Sequence, residues 1–175
     1  MLLFVAFSTK LSRTFPQNMI LLGVFTLGES YLVAYITSIY EPESVLMSAV
    51  ATAGATVGIT FYAMTTKSDF TKLAHSFGGK ISLNVAFASS VFWVFLFLSM
   101  FNVFIFRSSM LSNIMAFVIA LIYCGYILID TQLILGGRNK ELTLDNYIMG
   151  AMILYVDIIG LFLKLLQLMG EKKKK

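Results

Sequence analysis

Two lone aspartates interrupt apolar runs long enough to cross a bilayer: Asp130 in AFVIALIYCGYILIDTQLILGG and Asp157 in NYIMGAMILYVDIIGLFLKLLQL. A hydrocarbon core about 30 Å thick takes about 20 apolar residues of helix to span. Inside it every backbone polar group must be satisfied by the segment itself, so runs of this kind fold as helices. A carboxylate at the centre of such a helix costs about 2.5–3.5 kcal/mol on insertion scales. A chain that keeps two of them is expected to use them, for ion coordination, proton binding or a proton-controlled gate.

Composition supports the same class. The 175 residues are 58% hydrophobic and only 13% charged, with a mean hydropathy of +0.85. Soluble domains carry about a quarter charged residues, so half that share predicts an all-α integral membrane protein made of one domain, residues 1–175. Five complete spans are expected, at about 19–40, 45–66, 81–106, 113–136 and 146–168. Residues 1–9 (MLLFVAFST) are apolar but too short to cross, and lack the basic start and cleavage site of a signal peptide. They read as the end of a helix that begins earlier. Residues 171–175 form a basic tail.

The loops are polar and short. Pro16 and Asn18 punctuate the first, Glu41 to Ser44 make a tight acidic turn, and Lys67 to Lys80 form the longest. Glycines end the span before Arg138, and Thr143 is a candidate N-cap for the last helix. If every span crosses, Lys10, Arg13, Lys67, Lys72, Lys80, Arg138 and Lys140 share one side, while Arg107 lies opposite with Glu41 and Glu43. The basic side is then cytosolic, or the matrix side in a mitochondrial setting. Strict crossing puts Lys172 to Lys175 on the other side, against that rule. Either the tail tolerates this or the last segment does not fully cross; the length of the last apolar run favours crossing. Five of the 13 basic residues are Lys164 and Lys172 to Lys175, so the net charge of +4 speaks for a membrane surface and not for nucleic acid.

Asp130 lies about six residues from the basic end of its span and Asp157 about eleven residues into the next. At 1.5 Å per residue their depths differ by about 7 Å, which antiparallel neighbours with modest tilt can absorb. Two carboxyls in one site cannot easily both ionise, so a proton is shared between them. The alternative is two independent aspartates, each hydrogen-bonded to a hydroxyl or a backbone group. Glu29 is a third intramembrane acid. It either lines the same pathway or is a neutral member of a polar cluster with Thr26 and Ser30. Lys164 follows Asp157 by seven residues on the same helix face, too far for a direct pair, and is expected to snorkel to the interface. Arg13 either reaches a carboxylate or is a plain positive anchor.

Gly54 and Gly58 form a GxxxG flanked by Ala51 and Ala55, an expected helix-packing stripe. The single cysteine, Cys124, reads as a small buried hydrophobe. His75 is alone in the longest loop, without the second His or Cys of a zinc site. No resident metal site, nucleophile–base pair, phosphate loop or redox motif is present in the sequence, so a catalyst or cofactor enzyme is not expected. The 16 Phe and ten Met read as lipid-facing or packing residues, not as a cofactor box.

The last third of the chain resembles the transmembrane Bax-inhibitor-motif family, and within it the lifeguard branch. That branch carries D-T-Q-x-x-x-G-x-R followed by E-Y-I-x-x-A-x-x-x-Y-x-D-I-I-x-x-F-x-x-x-L-Q-L-x-G. Asp130, Thr131, Gln132, Gly136 and Arg138 match the first stretch. Tyr147, Ile148, Ala151, Tyr155, Asp157, Ile158, Ile159, Phe162, Leu166, Gln167 and Gly170 match the second. FPQNMILLGVFT and TTKSDFT, earlier in the chain, are similar to the branch's F-P-x-N-x-x-L-L-x-x-F-T and T-K-x-D-F-T. The resemblance runs almost from end to end.

It implies a seven-helix fold with the last helix at the centre, here without the first helix and most of the second. It also implies a calcium leak of an intracellular membrane with a cytoprotective, anti-apoptotic role. Asp130 and Asp157 take the place of the family's pH-sensitive latch, calcium being the transported ion near them and no cofactor being needed. Arg13 is the only candidate for the arginine that engages that latch. The endoplasmic reticulum or Golgi is the expected location, with a lysine-rich end like a dilysine retrieval signal and the mitochondrial inner membrane as the alternative. The rival function is a non-conducting accessory or structural subunit of a larger membrane assembly.

Overall fold

The computed structural model describes residues 16–68, 70, 109–135 and 147–173. Among these residues the chain forms α1 (Gln17–Thr37), α2 (Pro42–Thr65), α3 (Ser109–Ile134) and α4 (Tyr147–Met169), and no strand beyond an isolated bridge between Tyr40 and Lys172. Each helix is long and apolar enough to cross a membrane. Each coincides, to within about one turn, with an expected span: 19–40, 45–66, 113–136 and 146–168. The expected span at 81–106 and the partial helix at 1–9 lie outside the described residues.

The outward faces confirm the solvent. Leu27, Tyr31 and Tyr35 on α1 and Met110 on α3 are each more than two-thirds exposed. Large apolar side chains spread over the outside in this way belong in lipid, and the chain is an integral membrane protein. Several threonine hydroxyls are satisfied within their own helix: Thr26, Thr37, Thr52, Thr65 and Thr131 each donate to the carbonyl four residues back.

α4 is the central described helix, because it packs against α1, α2 and α3 while being apolar nearly all round. Ile148 and Met152 near its start meet Leu21 and Phe25 of α1, with Phe25 edge-on to Tyr155 at 5.8 Å. Its end meets α1 again through Phe162, Leu166 and Tyr40. On the other side Leu154, Ile158, Leu161 and Leu165 pack with Ala120, Ile127 and Cys124 of α3 and with Ala55 and Ile59 of α2.

α2 does not use the expected stripe for these contacts. Its packed face is Ser44, Ser48, Thr52, Ala55, Ile59 and Ala63, a three-to-four-residue repeat along one side. Gly54 and Gly58 are exposed, and among the described residues nothing lies within 4 Å of the space a Cβ would take at either. The physical reason is that α2 is rich in small residues on two faces, and close approach needs small side chains, not glycine as such.

The chain ends of the helices are tied in pairs. Pro42 opens α2 at a position where its missing N–H costs nothing. At that end the backbone N–H of Glu41 donates to the Glu171 carbonyl at 2.9 Å, that of Lys173 donates to Ile39 at 3.0 Å, and that of Glu171 donates to the Ser44 hydroxyl at 3.0 Å. At the other end Gln132 of α3 holds the segment after α2: its amide donates to the Ser68 carbonyl and its oxygen accepts from the Phe70 N–H. The C-terminus of α4 therefore lies with the acidic α1–α2 turn, and the C-terminus of α3 with that of α2. This is the full-crossing arrangement, with Lys172 and Lys173 at the end opposite the basic loop start at Lys67.

Candidate functional site

Helix pairing through Ile127, Leu161 and Leu154 sets the register of α3 against α4, and that register places Asp130 beside Asp157. Asp130 is one turn from the end of α3, and Asp157 lies in the middle of α4. The two carboxyls lie within electrostatic range of each other. An ionised carboxylate only accepts, so a bond between two carboxyls holds one proton. Asp157 is 7% exposed, and its Oδ2 is buried without a hydrogen-bond partner among the described residues. An unpartnered oxygen at a buried carboxyl is costly.

Neighbours of the pair are phenols and a third acid. Tyr123 and Tyr126 on α3 stand edge to face at 6.5 Å, and both are within electrostatic range of Asp157, with Tyr126 also in range of Asp130. Glu29 is buried on α1 and in range of Tyr123. The polar cluster weighed for Glu29 does not form: Thr26 gives its hydroxyl to the Leu22 carbonyl, and Ser30 is exposed. Tyr123 lies directly over Gly160, so closely that its ring fills the space of a Cβ there.

Lys164 is two turns beyond Asp157, about 10 Å along the axis, and makes no contact with it. Its ammonium donates to Gln167 Oε1 at 3.2 Å, and Gln167 Nε2 donates to the Ser112 hydroxyl at 3.0 Å. Cys124 is half-buried in the α3–α4 core. Arg13, His75 and Arg138 lie outside the described residues. Among those residues no three His, Cys, Asp or Glu gather as a metal cage. Residues that sequence reasoning left without a role are Tyr123, Tyr126 and Gln132. Gln132 was visible only as part of the D-T-Q stretch, and its partners are more than sixty residues away in sequence.

These features define a class: a polytopic helical membrane protein with a buried carboxyl, Asp157, on its central described helix and a second, Asp130, in electrostatic range of it. The chain belongs to the Bax inhibitor family, since the family model described as "Inhibitor of apoptosis-promoting Bax1" matches residues 1–174. It is 31% identical to protein lifeguard 3 of Homo sapiens over 162 residues, 91% of this chain and 49% of that protein. It is 34% identical to protein lifeguard 4 of Mus musculus over 170 residues, 97% of this chain and 65% of that protein. It is 31% identical to the Golgi anti-apoptotic protein of Vaccinia virus (strain Lister) over 160 residues, 91% and 61% respectively. The chain thus spans between about half and two-thirds of the length of these curated relatives. No solved structure matches it.

Proposed function

We propose that the chain forms a proton-gated cation leak of an intracellular membrane, with calcium the ion that passes, and that it serves an anti-apoptotic role there. The observation that supports this is the placement of Asp130 and Asp157 within electrostatic range of each other at the contact between α3 and α4. With one proton between them the carboxyls hold α3 to α4. When that proton leaves, two like charges face each other. At about 4 Å and an effective dielectric of about 20 they repel by about 4 kcal/mol. A two-state helix contact shifts by about a thousandfold on that energy. The parted carboxylates then attract a divalent cation. Two carboxylates offer fewer oxygens than the six to eight of a resident calcium site, which suits transit over retention.

Glu29 and the phenols of Tyr123 and Tyr126 extend the polar surface from this pair along α1 and α3. The anti-apoptotic role draws support from the family's description and from the name of the viral relative, and that name also favours the Golgi. The endoplasmic reticulum fits an intracellular leak equally.

The test is calcium flux from sealed liposomes carrying the purified chain, scanned from about pH 5 to about pH 8. Flux is expected to rise with pH, because the closed state is the protonated one. Asp157→Asn cannot share the proton with Asp130 in this way, and its flux is expected to lose most of the pH dependence. A wild-type slope retained in Asp157→Asn and in Asp130→Asn sinks the latch. A folded chain with no flux at any pH favours the accessory-subunit role instead.

A further inference from the structure

Beyond the carboxyl pair, toward the acidic-turn end, α1, α3 and α4 enclose a partly open cavity of about 220 Å³. Its walls are Ile36 and Tyr40 from the α1 side, Tyr123 from α3, and Gly160, Leu163, Lys164 and Gln167 from α4. Lys164 brings an ammonium into this space. An ammonium has three hydrogens to donate, and among the described residues its one bond, to Gln167, is to a neutral oxygen. Gln167 is itself fixed by Ser112, so the amide holds the lysine at the cavity and leaves its charge uncompensated.

Among the described residues no carboxylate answers that charge. Among the described residues Glu41, Glu43 and Glu171 lie nearest in the fold, at the ends of α1, α2 and α4, and none forms an ion pair with Lys164. Glu29, Asp130 and Asp157 belong to the site already described. The remaining acids of the nine in the sequence are Asp69, Glu141 and Asp145. They lie outside the described residues. A cation in a membrane-embedded wall without an acid of its own is expensive.

The surroundings say which anion would answer it. Lys164 is five residues from the end of α4 at Met169, about 7.5 Å along the axis. An ammonium on a four-carbon stem reaches the head-group level from that depth. The cavity pairs this charge and two phenols with the apolar side chains of Ile36 and Leu163. Its volume takes a head group and not acyl chains, while the neighbouring exposed apolar residues Tyr35 and Ile39 on α1 offer chains a surface.

We infer that the cavity binds the acidic head group of a membrane lipid, one phosphate paired with Lys164, in the leaflet at the α1–α2 turn. Gln167 and Ser112 are positioning residues for the ammonium. This site is separate from the carboxyl pair and stands whether or not the chain conducts.

Native mass spectrometry of the full chain in detergent tests it, with phosphatidic acid, phosphatidylcholine and inorganic phosphate as separate titrants. One phosphatidic acid is expected to bind saturably and in preference to phosphatidylcholine. Lys164→Gln and Lys164→Met should each weaken it by about tenfold or more, and Lys164→Arg should retain it. A Lys172→Gln/Lys173→Gln double variant should bind as the wild type does. Helix content by circular dichroism checks that each variant is folded. Equal binding of the two lipids overturns the proposal, as does loss of binding in the tail variant with retention in Lys164→Gln and Lys164→Met. Inorganic phosphate that binds as tightly as the lipid also overturns it, by removing the membrane lipid as the ligand.

Discussion

The two ends of the α3–α4 contact solve the problem of charge in a membrane in opposite ways. At one end Asp130 and Asp157 lie within electrostatic range of each other. At the other Lys164 has no partner of opposite sign among the described residues and is turned into a cavity by Gln167. Both ends also carry a bridging glutamine, with different partners. Gln132 satisfies two backbone groups of the segment after α2, whereas Gln167 links two side chains. The acid end therefore sets two carboxyls of the chain against each other, and under the function proposed above it responds to protons. The lysine end, among the described residues, has no acid of its own.

That contrast breaks most visibly if the Asp130→Asn or Asp157→Asn flux keeps its wild-type dependence on pH; loss of the slope is the largest effect expected. Next comes Gln132→Leu, which strands the Phe70 N–H and the Ser68 carbonyl and should lower stability by about 1–3 kcal/mol, read as thermal unfolding in detergent. Gly160→Val should cost about 1 kcal/mol, the low end for overpacking, because the Tyr123 ring against it is the outer part of a side chain that can swing. Tyr123→Ala in the same chain should return most of that loss, and a cost unchanged in the double variant would place the strain elsewhere. Smallest is Gln167→Leu, at under about 1 kcal/mol, since the lysine and serine it leaves can turn to other partners. A Gln167→Leu loss equal to that of Gln132→Leu would erase the difference between the two ends.

Much of the fold was legible because membrane helices announce themselves by length and hydropathy: α1 to α4 sit where apolar runs predicted them. Asp130 and Asp157 were legible for the complementary reason, a charge standing out against an apolar background. The stripe by which α2 packs was not. Ser48, Thr52 and Ala55 on one face and Gly54 and Gly58 on another are all small, and sequence spacing alone does not say which face meets a neighbour. Nor could spacing find partners distant in the chain, such as Gln132 with Ser68, Tyr123 with Gly160, or the strap from Glu171 to Lys173 along Ile39 to Ser44. That strap settles which end the α4 terminus shares, a point on which the charge rule and the length of the last run disagreed.

The shared proton is the centre of this account, and infrared spectroscopy of carboxyl groups sees it without requiring conduction. The wild-type chain is expected to show one protonated-carboxyl band that disappears in a single step as pH rises, and Asp130→Asn and Asp157→Asn should each remove that step. Two independent steps in the wild type, or a step that survives both substitutions, would contradict a proton held between Asp130 and Asp157.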